Sequence, residues 1–196
     1  MIILGLTGSI GMGKTTTASL FAEEGCPVFD ADKAVHQLYA NGGKAVPLIR
    51  AVFPDAVKGG AVDRAALGAY IRSDPLNLGV LESFIHPWVG ELRQAFLEEA
   101  QANKAGFVVF DVPLLFETGG DKRVDYTIVV SAPADVQETR VMARPGMTEA
   151  LYNTLLARQM PDAEKRKRAD FVLSTGVSIP DTREQVQGLL RKLRAR

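Results

Sequence analysis

Apolar positions fall in short continuous runs, not in strict alternation. They are Ile2–Leu6, CPVFD at Cys26–Asp30, GFVVFD at Gly106–Asp111, YTIVVSA at Tyr126–Ala132 and the weaker Phe171–Leu173. Unbroken apolar strands separated by helices predict a parallel sheet covered on both faces. The intervening segments carry helical periodicity. Lys14–Glu24 sets Ala18, Phe21 and Ala22 on a core-facing stripe, and PADVQETRVMAR, from Pro133, reads as a helix. Thr148 caps the next helix. The last, from about Asp181, aligns Val186, Leu189, Leu190 and Leu193, with basic residues at its negative C-terminal end.

One connection is too long for its task. A parallel crossover needs only about a dozen residues, yet the stretch from Ala34 to about Ala105 has no strand run and reads as helical throughout. Asp63 caps a helix carrying Leu67, Tyr70 and Ile71. Ser73-Asp74-Pro75 starts another, with Leu78, Leu81 and Ile85 in step, and Pro87 begins a third along Val89, Leu92 and Phe96. This segment is an insertion with its own role.

Between the first strand and the first helix lies GSIGMGKT, Gly8 to Thr15. Gly8, Gly11 and Gly13 allow the backbone to turn N–H groups toward anionic oxygens, which side chains would obstruct. Lys14 reaches the β- and γ-phosphates, the Thr15 hydroxyl suits the shell of a bound Mg²⁺, and the helix adds its positive end. A strand before and a helix after supply the context this loop requires. A GTPase would also need Asn-Lys-x-Asp to read guanine. Asn103-Lys104-Ala105-Gly106 lacks that aspartate, so a GTP-dependent switch is disfavoured.

Carboxylates stand at two strand ends, where ligands sit in open α/β sheets. Asp111 closes the third strand, in the pattern of an aspartate that holds metal or water beside a phosphate loop. Asp30 and Asp32 follow the second strand. Strands one and two are neighbours in most such folds, which would set this pair across from the γ-phosphate. A kinase acting on an alcohol gains from an acid that accepts the hydroxyl proton. Asp32 opens the next helix, so its alternative role is a cap. Arg140 and Arg144, one helical turn apart, are candidates to close over phosphate, with Arg158 and Arg166 as further ones. His36 and His86 are the only histidines, and no Cys/His cluster has zinc-site spacing. His86-Pro87 opens a helix, where capping or packing is the default role.

Composition narrows the setting. The chain has 196 residues, enough for one domain with a subdomain, and its Lys+Arg and Asp+Glu balance at 23 each. Net charge therefore gives no support to a nucleic-acid partner, although Arg158, Lys165, Arg166, Lys167 and Arg168 concentrate positive charge late in the chain. A single cysteine, Cys26, excludes an internal disulfide. Met1–Leu6 is too short for a targeting segment and lacks a basic leader. FVVFDVPLLF is broken by Asp111 and Pro113, so no membrane span is expected and a cytoplasmic location is.

LTGSIGMGKTT, DAD at Asp30–Asp32, HP at His86-Pro87, DVPLLFE at Asp111–Glu117 and QMPDAEKRKRAD at Gln159–Asp170 together resemble the dephospho-CoA kinase family, over nearly the whole chain and in the family's order. The resemblance implies a P-loop three-layer α/β fold with a five-stranded parallel sheet, a helical substrate-binding insertion and a helical lid. It divides the chain into core (1–33, 104–132, 168–196), insertion (34–103) and lid (133–167). It implies transfer of the ATP γ-phosphate to the 3′-hydroxyl of dephospho-CoA, with Mg²⁺. Gly8, Gly11, Met12, Gly13, Lys14, Thr15, Thr16 and Arg144 would bind ATP, with Thr15 toward the metal. Lys14, Asp32 and Arg140 would be catalytic, and Asp32, His86 and Asp111 would meet dephospho-CoA. In one departure, the family usually has an asparagine shortly beyond the last strand, where this chain reads FVLSTG with Ser174-Thr175. That leaves the nucleotide preference open. The other readings are a kinase for nucleoside monophosphates or small alcohols, and a non-catalytic nucleotide-binding module. A pure binder has no use for Asp32.

Overall fold

The computed structural model describes residues 1–74 and 76–195. They form two compact units, one of residues 1–29 and 100–195, the other of residues 30–74 and 76–99.

The first unit is built on five parallel strands. In chain order the strands are β1 (Ile2–Thr7), β2 (Val28–Asp30), then β5 (Phe107–Asp111), β6 (Tyr126–Ser131) and β7 (Phe171–Ser174), with β3 and β4 in the other unit. The sheet order is β2-β5-β1-β6-β7. The first two strands are therefore not neighbours, contrary to the expectation from sequence, because β5 lies between them. Burial explains the order. All five β5 residues are buried, as a central strand requires. The three residues of β2 are only half-buried, as suits a short edge. In register, Leu6 of β1 faces Asp111 of β5, so Asp111 reaches the sheet end from which the glycine loop departs.

Helix α1 (Lys14–Glu23) and the C-terminal α9 (Ile179–Arg194) contribute Leu20, Phe21, Val186, Leu189, Leu190 and Leu193 to a core shared with Leu4, Leu6, Val109, Ile128 and Val130. Ser178 caps α9, which begins at Ile179, two residues before the expected start. Helices α6 (Ala134–Met142), α7 (Glu149–Ala157) and α8 (Asp162–Arg168) fill the stretch between β6 and β7. Thr148 caps α7, its side chain accepting from the Leu151 N–H.

The second unit holds α2 (Ala31–Tyr39), α3 (Val46–Val52), α4 (Arg64–Ser73) and most of α5 (Leu76–Ala102). It is not helical throughout. Val57–Lys58 (β3) and Ala61–Val62 (β4) pair as a small antiparallel hairpin, turned by Gly59 and Gly60 at positive φ. Asp63 caps α4 as the sequence indicates, accepting from Ala65 and Ala66 N–H. The Pro75 helix start lies outside the described residues.

Pro87 does not begin a helix but lies inside α5. An interior proline costs about 3 kcal/mol. Leu81 and Ile85 before it, and Trp88, Val89 and Leu92 after it, pack in the same cluster with Leu38, Ile49, Phe53 and Leu67. At about 1.5–3 kcal/mol per buried large side chain, that shared burial outweighs the break.

Candidate active site

The glycine loop runs from the end of β1 into α1 with little room for side chains. A Cβ on Gly8 would stand 2.4 Å from Val130 Cγ2, and one on Gly11 would stand 2.5 Å from Val141 Cγ2. Gly11 and Gly13 both have φ +80, in the left-handed region that favours glycine. Gly13 is the N-cap of α1 and supplies no side-chain bond, and the first turn carries no acid. The helix's own cap and first turn therefore do nothing to offset its positive end, which suits an anion site.

Lys14 opens α1, and its Nζ donates to Asp111 Oδ1 at 2.5 Å. The Asp111 side chain is only 6% exposed and that of Lys14 17%, so this ion pair is largely withdrawn from water. Thr15 and Thr16 are exposed beside it. Met12 is different. Its side chain is in the core, with Sδ accepting from the Ala132 N–H, so any contact it makes with a nucleotide is through its main chain.

The rest of the loop is held from behind. Ile10 donates its N–H to Gln159 Oε1 at 2.9 Å, and its carbonyl accepts from Gln137 Nε2 at 2.7 Å. The Thr175 hydroxyl, buried beyond β7, donates to the Met12 carbonyl at 2.7 Å. The Thr175 carbonyl in turn accepts from Arg140 Nη2 at 2.7 Å, which ties Arg140 of α6 close to the loop. Arg144 does not share that helix. α6 ends at Met142, and Arg144 lies in the following bend, exposed and next to Pro145, which disfavours helical backbone in the residue before it.

The basic stretch around α8 is partly structural. Lys165 is completely buried, with Nζ 2.9 Å from Glu117 Oε1 and 3.1 Å from the Pro113 carbonyl. Glu117 also accepts from the Met160 N–H. Burial pushes the Glu117 carboxyl up, but the hydrogen bonds from Lys165 and Met160 overcome it and hold the carboxyl below its ordinary value. Arg168 pairs with Asp121 and lies over the Phe116 ring. Asp170 accepts from the N–H and hydroxyl of Thr127, fastening β7 to β6. Arg158 and Arg166 remain exposed.

The other expected residues belong to the second unit. Asp30 is the N-cap of α2 and accepts from the Lys33 N–H at 2.9 Å, so the cap belongs to Asp30 and not to Asp32. Asp32 is exposed in the first turn. His86 is exposed in the middle of α5, so it neither caps nor packs, contrary to the reading of HP as a helix start. His36 is exposed on α2. Among the described residues there is no cluster of three or more His, Cys, Asp or Glu that could hold a metal, and no helix long and apolar enough to cross a membrane.

The family model for dephospho-CoA kinase matches residues 2–181. Dephospho-CoA kinase of Agrobacterium fabrum is 53% identical over 195 residues, covering 100% of both chains. This chain belongs to the dephospho-CoA kinase family. That makes it a member of a family of ATP-dependent phosphotransferases. The crystal structure of TT1252 from Thermus thermophilus superposes with a TM-score of 0.83 at 40% identity, covering 98% of this chain and 97% of that one. Dephospho-CoA kinase from Campylobacter jejuni shares the fold, with a TM-score of 0.72 at 23% identity over 97% and 96% of the two chains. Within this family frame, the supports missed in the sequence are Gln137, Gln159 and the Lys165–Glu117 pair. Gln159 and Lys165 lie in QMPDAEKRKRAD and Glu117 closes DVPLLFE, but nothing in those segments gives them a role, and no periodicity marks Gln137.

Proposed function

We propose that the chain transfers the ATP γ-phosphate to the 3′-hydroxyl of dephospho-CoA, giving coenzyme A and ADP in the last step of coenzyme A synthesis. The observation that carries the chemistry is Lys14, held by Asp111 at the head of a helix with neither a side-chain cap bond nor an acid in its first turn. The full-length likeness to dephospho-CoA kinases supports the acceptor.

Gly8, Gly11, Met12, Gly13, Thr15 and Thr16 bind the ATP phosphates, largely through main-chain N–H groups. Asp32 takes the proton of the acceptor hydroxyl. The freed oxygen pair bonds to the γ-phosphorus while the bond to the β–γ bridging oxygen breaks, and that electron pair leaves on ADP. Lys14 and Arg140 neutralise the charge spread over the moving phosphoryl, and Arg144 adds to ATP binding. Asp111 holds Lys14, and Asp111 and His86 are each assigned to binding the acceptor. The exposed Thr15 hydroxyl is a hard oxygen donor of the kind Mg²⁺ takes and would help hold the ion, which would supply charge neutralisation for the phosphates. Residues 34–103 serve as the acceptor-binding insertion and 133–167 as the lid, in a cytoplasmic enzyme with no nucleic-acid or membrane partner.

The test is product analysis by mass spectrometry after incubation with Mg-ATP and dephospho-CoA. Coenzyme A carrying a 3′-phosphate is the expected product. Unchanged dephospho-CoA would refute the reading.

A further inference from the structure

Thr175 directly follows β7 and is buried. Its backbone N–H donates to the Ser131 carbonyl at 2.8 Å, extending the β6–β7 pairing. Its carbonyl accepts from Arg140. Its hydroxyl lies 2.7 Å from the Met12 carbonyl and 3.2 Å from that of Ser131, and with one proton to give, it favours the shorter bond. The side chain also underlies the loop: a Cβ on Gly13 would stand 3.2 Å from Thr175 Cβ. The residue is 5% exposed. Both protons it can donate are thus engaged inside the protein, so it has no donor left for the edge of a purine and almost no surface to offer one.

We propose that Thr175 is a positioning residue that braces the glycine loop through the Met12 carbonyl and holds Arg140 beside it, and that it does not read the nucleotide base. The physical argument is local. The loop binds phosphate only while its N–H groups converge, and Gly11 and Gly13 on either side of Met12 are the residues least able to keep that shape unaided. A hydrogen bond from a buried hydroxyl on a strand end fixes the peptide between them. Removing the donor leaves a buried carbonyl without that partner and loosens the loop. Selectivity for adenine, on this account, comes from elsewhere in the site. The inference rests on the ATP-binding reading of the loop.

The test compares wild type with Thr175→Val, which keeps the shape and loses the hydroxyl, and Thr175→Ser, which keeps the hydroxyl. ATP and GTP binding are measured by calorimetry without acceptor, alongside kcat, KM and the melting temperature. The Val variant is expected to bind ATP about 3- to 10-fold more weakly, to show a raised KM for ATP, and to keep the wild-type ratio of ATP to GTP affinity. The Ser variant is expected to recover ATP affinity to within about twofold. Should Val fail to fold, Thr175→Ala against Thr175→Ser reads the same hydroxyl. Wild-type ATP affinity in Val or Ala, equal loss in Ser, or an ATP-to-GTP ratio that collapses with the hydroxyl would each overturn the proposal. A wild-type chain that bound ATP but made no coenzyme A would sink the kinase reading alone, since these binding data need no acceptor.

Discussion

At the scale of single residues, the proposal gives three side chains different parts of the chemistry. Lys14 is poised on Asp111 at the loop. Lys14→Ala is expected to lower turnover by several orders of magnitude, because charge stabilisation is lost where the phosphoryl moves; steady-state assays check this. Asp32→Asn removes a proton acceptor and leaves the loop untouched, so ATP binding should persist while kcat falls by about 10²–10⁴. Wild-type turnover in that variant would remove Asp32 as the base. Its legibility was partial. Sequence identified the carboxylates but not which one caps α2, since either end of DAD can do so; the bond from the Lys33 N–H to Asp30 decides it. For Arg140→Ala the expected defect is in kcat more than in ATP affinity, and equal kcat would exclude the arginine from the site.

At the scale of elements, the continuous apolar runs marked all five strands of the sheet, because burial on both faces leaves that signature directly in sequence. Their order was not legible. The half-buried edge character of β2 is a property of what packs on it, and VFD alone does not reveal it. The hairpin of β3 and β4 was missed because its strands are two residues each, too short for any period. Pro87 misled for the opposite reason: a local rule yielded to the cluster on both sides of it. The loop and α6 are tightly matched elements. Gly11→Ala would drive a methyl toward Val141 and the Gln137 carbonyl from a φ that alanine disfavours. A lower melting temperature and weakened ATP binding are expected together, and unchanged binding would contradict the packing described here.

For the molecule as a whole, a polar contact links distant stretches of the first unit. Lys165 and Glu117 tie α8 to the segment after β5, and that segment is further held by Thr7, whose hydroxyl donates to the Pro113 carbonyl. Because the folded Glu117 carboxyl sits below its ordinary value of 4.5, its contribution is complete above that pH and is lost as pH falls through the lowered folded value. The melting temperature of wild type should therefore fall more steeply between about pH 5 and pH 3 than that of Glu117→Gln, to the extent of this one group. Parallel slopes would show that the pair contributes no acid sensitivity.

The central claim is the acceptor. A coupled assay of ADP release with Mg-ATP, offering dephospho-CoA, AMP, CMP or no acceptor in turn, tests it most directly. The account predicts release that depends on dephospho-CoA and yields coenzyme A. Release driven instead by a nucleoside monophosphate, or none with any acceptor despite ATP binding, would contradict it.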